Sequence, residues 1–157
     1  MYGCQSLYEV TVGTEFRSEQ EMMDAVVALL ASGASPWAPT HVLTEFDYAS
    51  GRTDLIARLD SNMVLALEAK LTRWREALHQ AYRNTCFAHQ SLVVLPWKIA
   101  ERANAHRHEF ERRKVGLCGV KADGLVMMIE PGSVNPVLPH LTNRAMLELG
   151  FVAEAHA

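Results

Sequence analysis

Three cysteines in 157 residues are too few and too odd in number for a disulfide framework. Cys4, Cys86 and Cys118 also stand too far apart for zinc-ligand spacing, so free thiols are expected, with Cys86 and Cys118 in or near the core. Long apolar runs are missing too. No stretch approaches the roughly twenty residues of a membrane-spanning helix, which excludes that class. The start, Met1-Tyr2-Gly3-Cys4-Gln5-Ser6, has neither the basic opening nor the apolar middle of a secretion signal, so a cytoplasmic location is expected. Internal repeats, low-complexity tracts and linkers are absent as well. What is there, 49% hydrophobic and 21% charged, suits one globular domain over residues 1–157 with a sizeable core.

The net charge of −3 argues at first against a nucleic-acid partner, but its distribution does not. Residues 1–68 hold three Arg or Lys against ten acids, residues 69–121 hold eleven against four, and residues 122–157 hold one against four. An acidic first part is thus followed by a basic stretch of net +7. Carboxylates that hold a cation, next to basic side chains that neutralise phosphates, are what a binder of a phosphate backbone needs.

Ser18-Glu19-Gln20-Glu21 reads as a capping box, opening a helix whose Met22, Met23, Val26, Val27, Leu29 and Leu30 share a face and which Gly33 and Pro36 end. A strand over 41–47 follows. Two more strands, Thr53 to Leu59 and Met63 onward, are separated by the turn formers Asp60-Ser61-Asn62 and read as a hairpin. Next come a helix over 73–88 burying Trp74, Ala77, Leu78 and Ala81, a strand over 91–96, and a basic helix over about 98–114. Val115 to Lys121 and Leu125 to Glu130 form a second hairpin around Ala122-Asp123-Gly124, and a short helix is expected near Asn143 to Leu149.

The apolar run Met63-Val64-Leu65-Ala66-Leu67 continues into Glu68-Ala69-Lys70. A buried strand ending in opposite charges has an obvious cost and no obvious structural benefit. The side-chain period of two puts Val64, Ala66, Glu68 and Lys70 on one face, and the hairpin brings Asp54 next to Glu68. Two carboxylates on adjacent strands offer hard oxygen ligands to Mg²⁺, which keeps several waters and completes its shell with substrate phosphate. A lysine two residues beyond the second ligand is placed to orient the attacking water and offset developing charge. Glu45, with Asp47 on the same face of the first strand, could add a further carboxylate.

Asp54, thirteen residues, then Glu68-Ala69-Lys70 resembles the core of the PD-(D/E)XK nuclease superfamily, the restriction-endonuclease-like fold. The lead-in Gly51-Arg52-Thr53-Asp54, the acidic Thr44-Glu45 before it, and the helix bearing Arg75-Glu76-Ala77-Leu78-His79-Gln80-Ala81-Tyr82 are similar to members of that group. One departure is visible: some members carry Gln-x-x-x-Tyr on this helix, whereas here Asn84 stands at the fourth place after Gln80. The resemblance covers roughly residues 19–130, with 131–157 as a C-terminal extension. It implies an α/β fold with an αβββαβ core, a mixed central sheet flanked by helices. It also implies a Mg²⁺-dependent nuclease, Mn²⁺ substituting, that hydrolyses phosphodiester bonds in nucleic acid, DNA ahead of RNA. Asp54, Glu68 and the Ala69 carbonyl would hold the metal with help from Glu45. Lys70 would position water, Gln80 would face the site, and Arg52, Arg73 and Arg83 would contact the substrate. The rival expectation is a non-catalytic module that keeps the fold and holds nucleic acid, or a subunit whose tail, 131–157, docks on a protein partner; a homodimer is also compatible.

Overall fold

In the computed structural model, which describes residues 16–48, 51–60 and 62–150, helix α1 (Glu19–Ser32) begins at the expected cap. The Glu21 N–H donates to Ser18 Oγ at 3.0 Å. The Glu21 carboxylate reaches back one residue past the cap, accepting from the Arg17 N–H at 2.9 Å. Gly33, at φ +80°, closes the helix in the left-handed conformation that glycine adopts without penalty. Cys4 and the other residues before Phe16 lie outside the described residues, as do 151–157.

Six strands form one mixed sheet in sequence order: β1 (His41–Tyr48), β2 (Gly51–Arg58), β3 (Val64–Ala69), β4 (Gln90–Pro96), β5 (Val115–Lys121) and β6 (Gly124–Ile129). β1–β2–β3 is an antiparallel meander, β3, β4 and β5 run parallel, and β6 returns antiparallel. The parallel steps need crossovers, supplied by α2 (Trp74–Asn84) and by α3 (Trp97–Asn104) with α4 (Arg107–Glu111). The element order α1-β1-β2-β3-α2-β4 is therefore the expected helix, three strands, helix and strand. Every residue of β3 is buried, as its unbroken apolar run requires of a strand covered on both faces.

Helix α1 covers one face, packing Met22, Met23, Val26 and Leu30 onto Leu55, Leu67, Leu92 and Cys118. On the other face α2, α3 and α4 enclose Val93, Leu95, Val115 and Leu117. A final helix, α5 (Pro139–Glu148), seats Leu141, Ala145 and Met146 against Phe46, Ile56 and Ala66. Residues 131–150 thus close the chain's own core: the Val134 N–H donates to the His89 carbonyl and the Leu138 N–H to that of Cys86. Both described cysteines are free, Cys118 buried and Cys86 half-buried, and burial pushes the Cys118 thiol up to about 12.

The basic helix expected over 98–114 is two helices. Asn104 and His106 are weak helix formers, and His106 leaves helical geometry, stacking its ring on Trp74 with centroids 5.2 Å apart. Trp74 itself is only partly buried.

Gly116 shows how closely β5 is covered. A Cβ there would sit 2.8 Å from the Ile129 carbonyl oxygen and 2.8 Å from Pro131 Cδ, and would also meet Leu92. Backbone cannot give way as a flexible side chain can, so Gly116→Ala is expected to cost about 1–3 kcal/mol. Urea denaturation checks this: an unchanged midpoint would mean that β5 and the chain after β6 are packed more loosely.

Candidate functional site

β1 and β2 pair in register from His41↔Arg58 to Thr44↔Leu55 and again from Phe46↔Thr53 onward, skipping Glu45 and Asp54. Glu45 has φ +60°, a left-handed conformation that costs a non-glycine residue about 1–2 kcal/mol. Both strands change face there. Thr44 lines a cleft with Met23 of α1, whereas Phe46 packs against Phe87 on the opposite side. Leu55 belongs to the α1 cluster, whereas Thr53 turns to α2 and hydrogen-bonds Asn84. Asp54 stands at the switch, and its side chain fills the place where the ladder with β3 stops. That ladder runs only from Leu55↔Leu67 to Arg58↔Val64. Beyond it the Ala69 N–H donates to Asp54 Oδ2 at 2.8 Å, so a carboxylate replaces a strand carbonyl.

Glu68 is 1% exposed, the only buried acidic residue among the described residues. Burial is the largest influence on its carboxyl group, and the charge of Asp54 beside it is the next; together they push its pKa from the ordinary 4.5 up to about 8. A shared hydrogen bond between the two carboxyls would act in the same direction, favouring the protonated form of Glu68. Opposing this, Asn84 Nδ2 donates to Glu68 Oε1 at 2.8 Å, and the charge of Lys70 favours the ionised form.

Asn84 is the residue that sequence reasoning missed. It is 1% exposed, and its Oδ1 accepts from Tyr48 Oη at 2.8 Å and Thr53 Oγ1 at 3.0 Å while its amide holds Glu68. The signal was its position: Ala77, Ala81 and Asn84 lie at helical spacing, so a polar side chain falls on the buried face of α2. Gln80, expected to face the site, lies one turn earlier on the same helix, partly exposed, and the hydrogen bond to Glu68 belongs to Asn84.

β3 ends at Ala69, and Lys70, whose N–H still donates to the Val94 carbonyl of β4 at 3.3 Å, has its Nζ 3.8 Å from Glu19 of α1 and 3.6 Å from Glu76 of α2. It is mostly buried, its side chain 18% exposed. Asp54, Ala69, Glu45 and Glu19 line one open cleft of about 460 Å³. Glu19 was not foreseen as part of it. Among the described residues no three His, Cys, Asp or Glu side chains converge closely enough to cage a metal by themselves.

Of the arginines expected at the substrate, two are ion-paired, and Arg73 shares its partner Glu76 with Lys70. Arg52 pairs with Asp47 at 2.7 Å and lowers that carboxyl's pKa, chiefly through their hydrogen bond. Arg73 pairs with Glu76 at 3.0 Å. Arg83 lies beside Tyr48 and Cys86, on a second surface depression with Tyr82 and Val137.

No protein-family model matches the chain, and no curated protein matches it. Solved structures similar to it include one described as SPO1766 protein of unknown function from Silicibacter pomeroyi. That structure superposes with a TM-score of 0.61 at 12% identity, covering 87% of this chain and 86% of the other. At that identity the likeness is one of fold: an α/β architecture with a six-stranded mixed sheet flanked by helices.

Proposed function

We propose that the chain is a Mg²⁺-dependent nuclease of the PD-(D/E)XK, restriction-endonuclease-like type, acting on nucleic acid and on DNA ahead of RNA. One observation carries the reading: Asp54, held by the Ala69 N–H where the β2–β3 ladder opens, stands beside the buried Glu68, with Lys70 just past the end of the same strand. A buried carboxyl with a second carboxyl beside it is expensive to hold ionised without a cation, because like charge and desolvation act together.

The residues present fit a hard divalent ion. Asp54 Oδ1, a Glu68 oxygen and the Ala69 carbonyl would hold it; that carbonyl lies on the same strand edge as the N–H which Asp54 accepts. Two carboxylates and one carbonyl are a sparse set, which suits Mg²⁺, since it keeps several waters and borrows substrate oxygens. When bound, the ion would supply charge for the scissile phosphate and acidify a water.

The chain's own groups do the rest. Asn84 fixes Glu68 Oε1, so the rotation of that carboxylate is set before any ligand arrives. Asp54 is held by the Ala69 N–H. Lys70 would bring a positive charge and hydrogen-bond donors to the attacking water, and Glu19 and Glu76 restrain its long side chain on two sides.

Incubation with single- and double-stranded DNA and with RNA, under Mg²⁺, Mn²⁺ or EDTA, tests the proposal. Metal-dependent cleavage is expected from the wild type, reduced about a hundredfold in Asp54→Ala and in Lys70→Ala. Equal behaviour of wild type and both variants on every substrate would overturn it.

A further inference from the structure

A third cavity, of about 340 Å³, has lining residues that adjoin those of the carboxylate cleft in the chain. Its apolar walls come from Phe16, Leu71, Pro96 and Ile99, and Lys98 and Arg102 of α3 stand at its rim. Leu71 directly follows Lys70 in the chain, and Phe16 shortly precedes Glu19, so the Lys70–Glu19 ion pair adjoins the linings of both cavities. Their chemistry is opposite: Glu19, Glu45 and Asp54 line the cleft, and the third cavity has cations and no acid.

Those two cations differ from several other basic residues of the surface. Arg52, Arg73, Arg75, Arg107 and Arg144 all have carboxylate partners. Lys98 and Arg102 are exposed, one helical turn apart, and among the described residues neither lies within ion-pair distance of an acid. An apolar slot with an aromatic wall, rimmed by two uncompensated cations, matches a nucleotide: base in the slot, phosphates on the rim.

We propose that this cavity receives an unstacked base of single-stranded nucleic acid, whose backbone passes over Lys98 and Arg102 toward Lys70. The inference rests on the nuclease reading for its substrate class. A base inside a duplex presents only its edges, so the slot selects strands whose base faces are free, such as single strands and frayed ends. Phe16 supplies the stacking ring, and the two cations supply a salt-dependent, sequence-independent hold.

Fluorescence anisotropy with labelled oligothymidine and with a fully paired hairpin, both in EDTA so that no cleavage occurs, tests this. Lys98→Ala/Arg102→Ala is expected to weaken single-strand binding about tenfold and to flatten the slope of log affinity against log salt by about 1.4. Phe16→Ala is expected to weaken oligothymidine about tenfold while leaving the hairpin nearly unaffected. Both cations are exposed, so the double variant keeps the fold, and an unchanged thermal midpoint verifies it. Wild type that fails to bind oligothymidine, a double variant with unaltered affinity and slope, or Phe16→Ala weakening both ligands equally would each overturn the proposal. Binding as expected without metal-dependent cleavage would sink the nuclease reading alone.

Discussion

In EDTA, the wild-type protein is expected to lose folding stability as pH rises from about 4.5 to about 8, whereas Glu68→Gln holds its stability through that window. The folded-state pKa of Glu68 lies above its unfolded value, so between the two the native protein binds a proton that the unfolded chain has released. Stability is therefore complete below about 4.5, falls as pH climbs toward about 8, and levels off beyond. At roughly 1.36 kcal/mol per unit, the interval from 4.5 to about 8 sets an upper bound of about 5 kcal/mol. Glutamine keeps the shape and the hydrogen bonds of the protonated acid, including a donor toward Asp54, without a titrating proton. The two proteins should match at pH 4.5 and diverge above it, the variant being the more stable at pH 8. If a divalent ion sits between Asp54 and Glu68, it replaces that proton and binds more tightly as pH rises. Mg²⁺ should then restore most of the wild-type loss at pH 8 and do little for Glu68→Gln. Chemical denaturation at several pH values, with and without Mg²⁺, checks both parts. Parallel pH profiles of the two proteins would refute the protonated buried carboxyl.

Charges at the end of an apolar strand were legible because burial makes them costly: Glu68 and Lys70 stood out against Val64 to Leu67, and the turn at Asp60-Ser61-Asn62 implied that Asp54 returns beside Glu68. The Asp54–Glu68 contact follows from that hairpin. What a period of two could not convey is the change of face at Glu45 and Asp54. It depends on a left-handed residue that is neither glycine nor asparagine, and it is why Thr53 and Leu55 serve opposite sides of the sheet. Lys70, one residue past the end of β3, meets acids from helices on both sides of the sheet. Its partners Glu19 and Glu76 are respectively 51 residues before and six after it, and no local pattern joins the first of them to the strand. The capping box and the hairpin at Ala122-Asp123-Gly124 are local devices and were readable. The division of the basic stretch into α3 and α4 combines the weak helix formers Asn104 and His106 with the stacking of His106 on Trp74 from another helix, and only the first of these is a local signal.

Replacing Asn84 by alanine is expected to destabilise the fold by about 3–5 kcal/mol, more than any single truncation of an exposed charge near the site. One side chain satisfies three others: it donates to Glu68 Oε1 and accepts from Tyr48 Oη and Thr53 Oγ1. Thr53 is 0% exposed and Tyr48 6%, so water cannot simply take over these bonds. The loss thus leaves Glu68 Oε1 without its donor and the Thr53 and Tyr48 hydroxyls without this acceptor, besides a small void against α2. The pH dependence separates this network from mere packing. Asn84 favours the ionised form of Glu68, so without it the acid holds its proton more strongly, and the deficit relative to wild type should widen as pH rises toward and past about 8. A packing defect would be the same at every pH. Asn84→Asp sharpens the contrast: it keeps the volume but sets a third carboxyl against Asp54 and Glu68, so it should be tolerated at pH 4.5 and fail at pH 8 in EDTA. Thermal and urea midpoints of the two variants across that range measure both effects. An Asn84→Ala cost below about 1 kcal/mol, or one that does not change with pH, would mean that Glu68 is held by β3 alone.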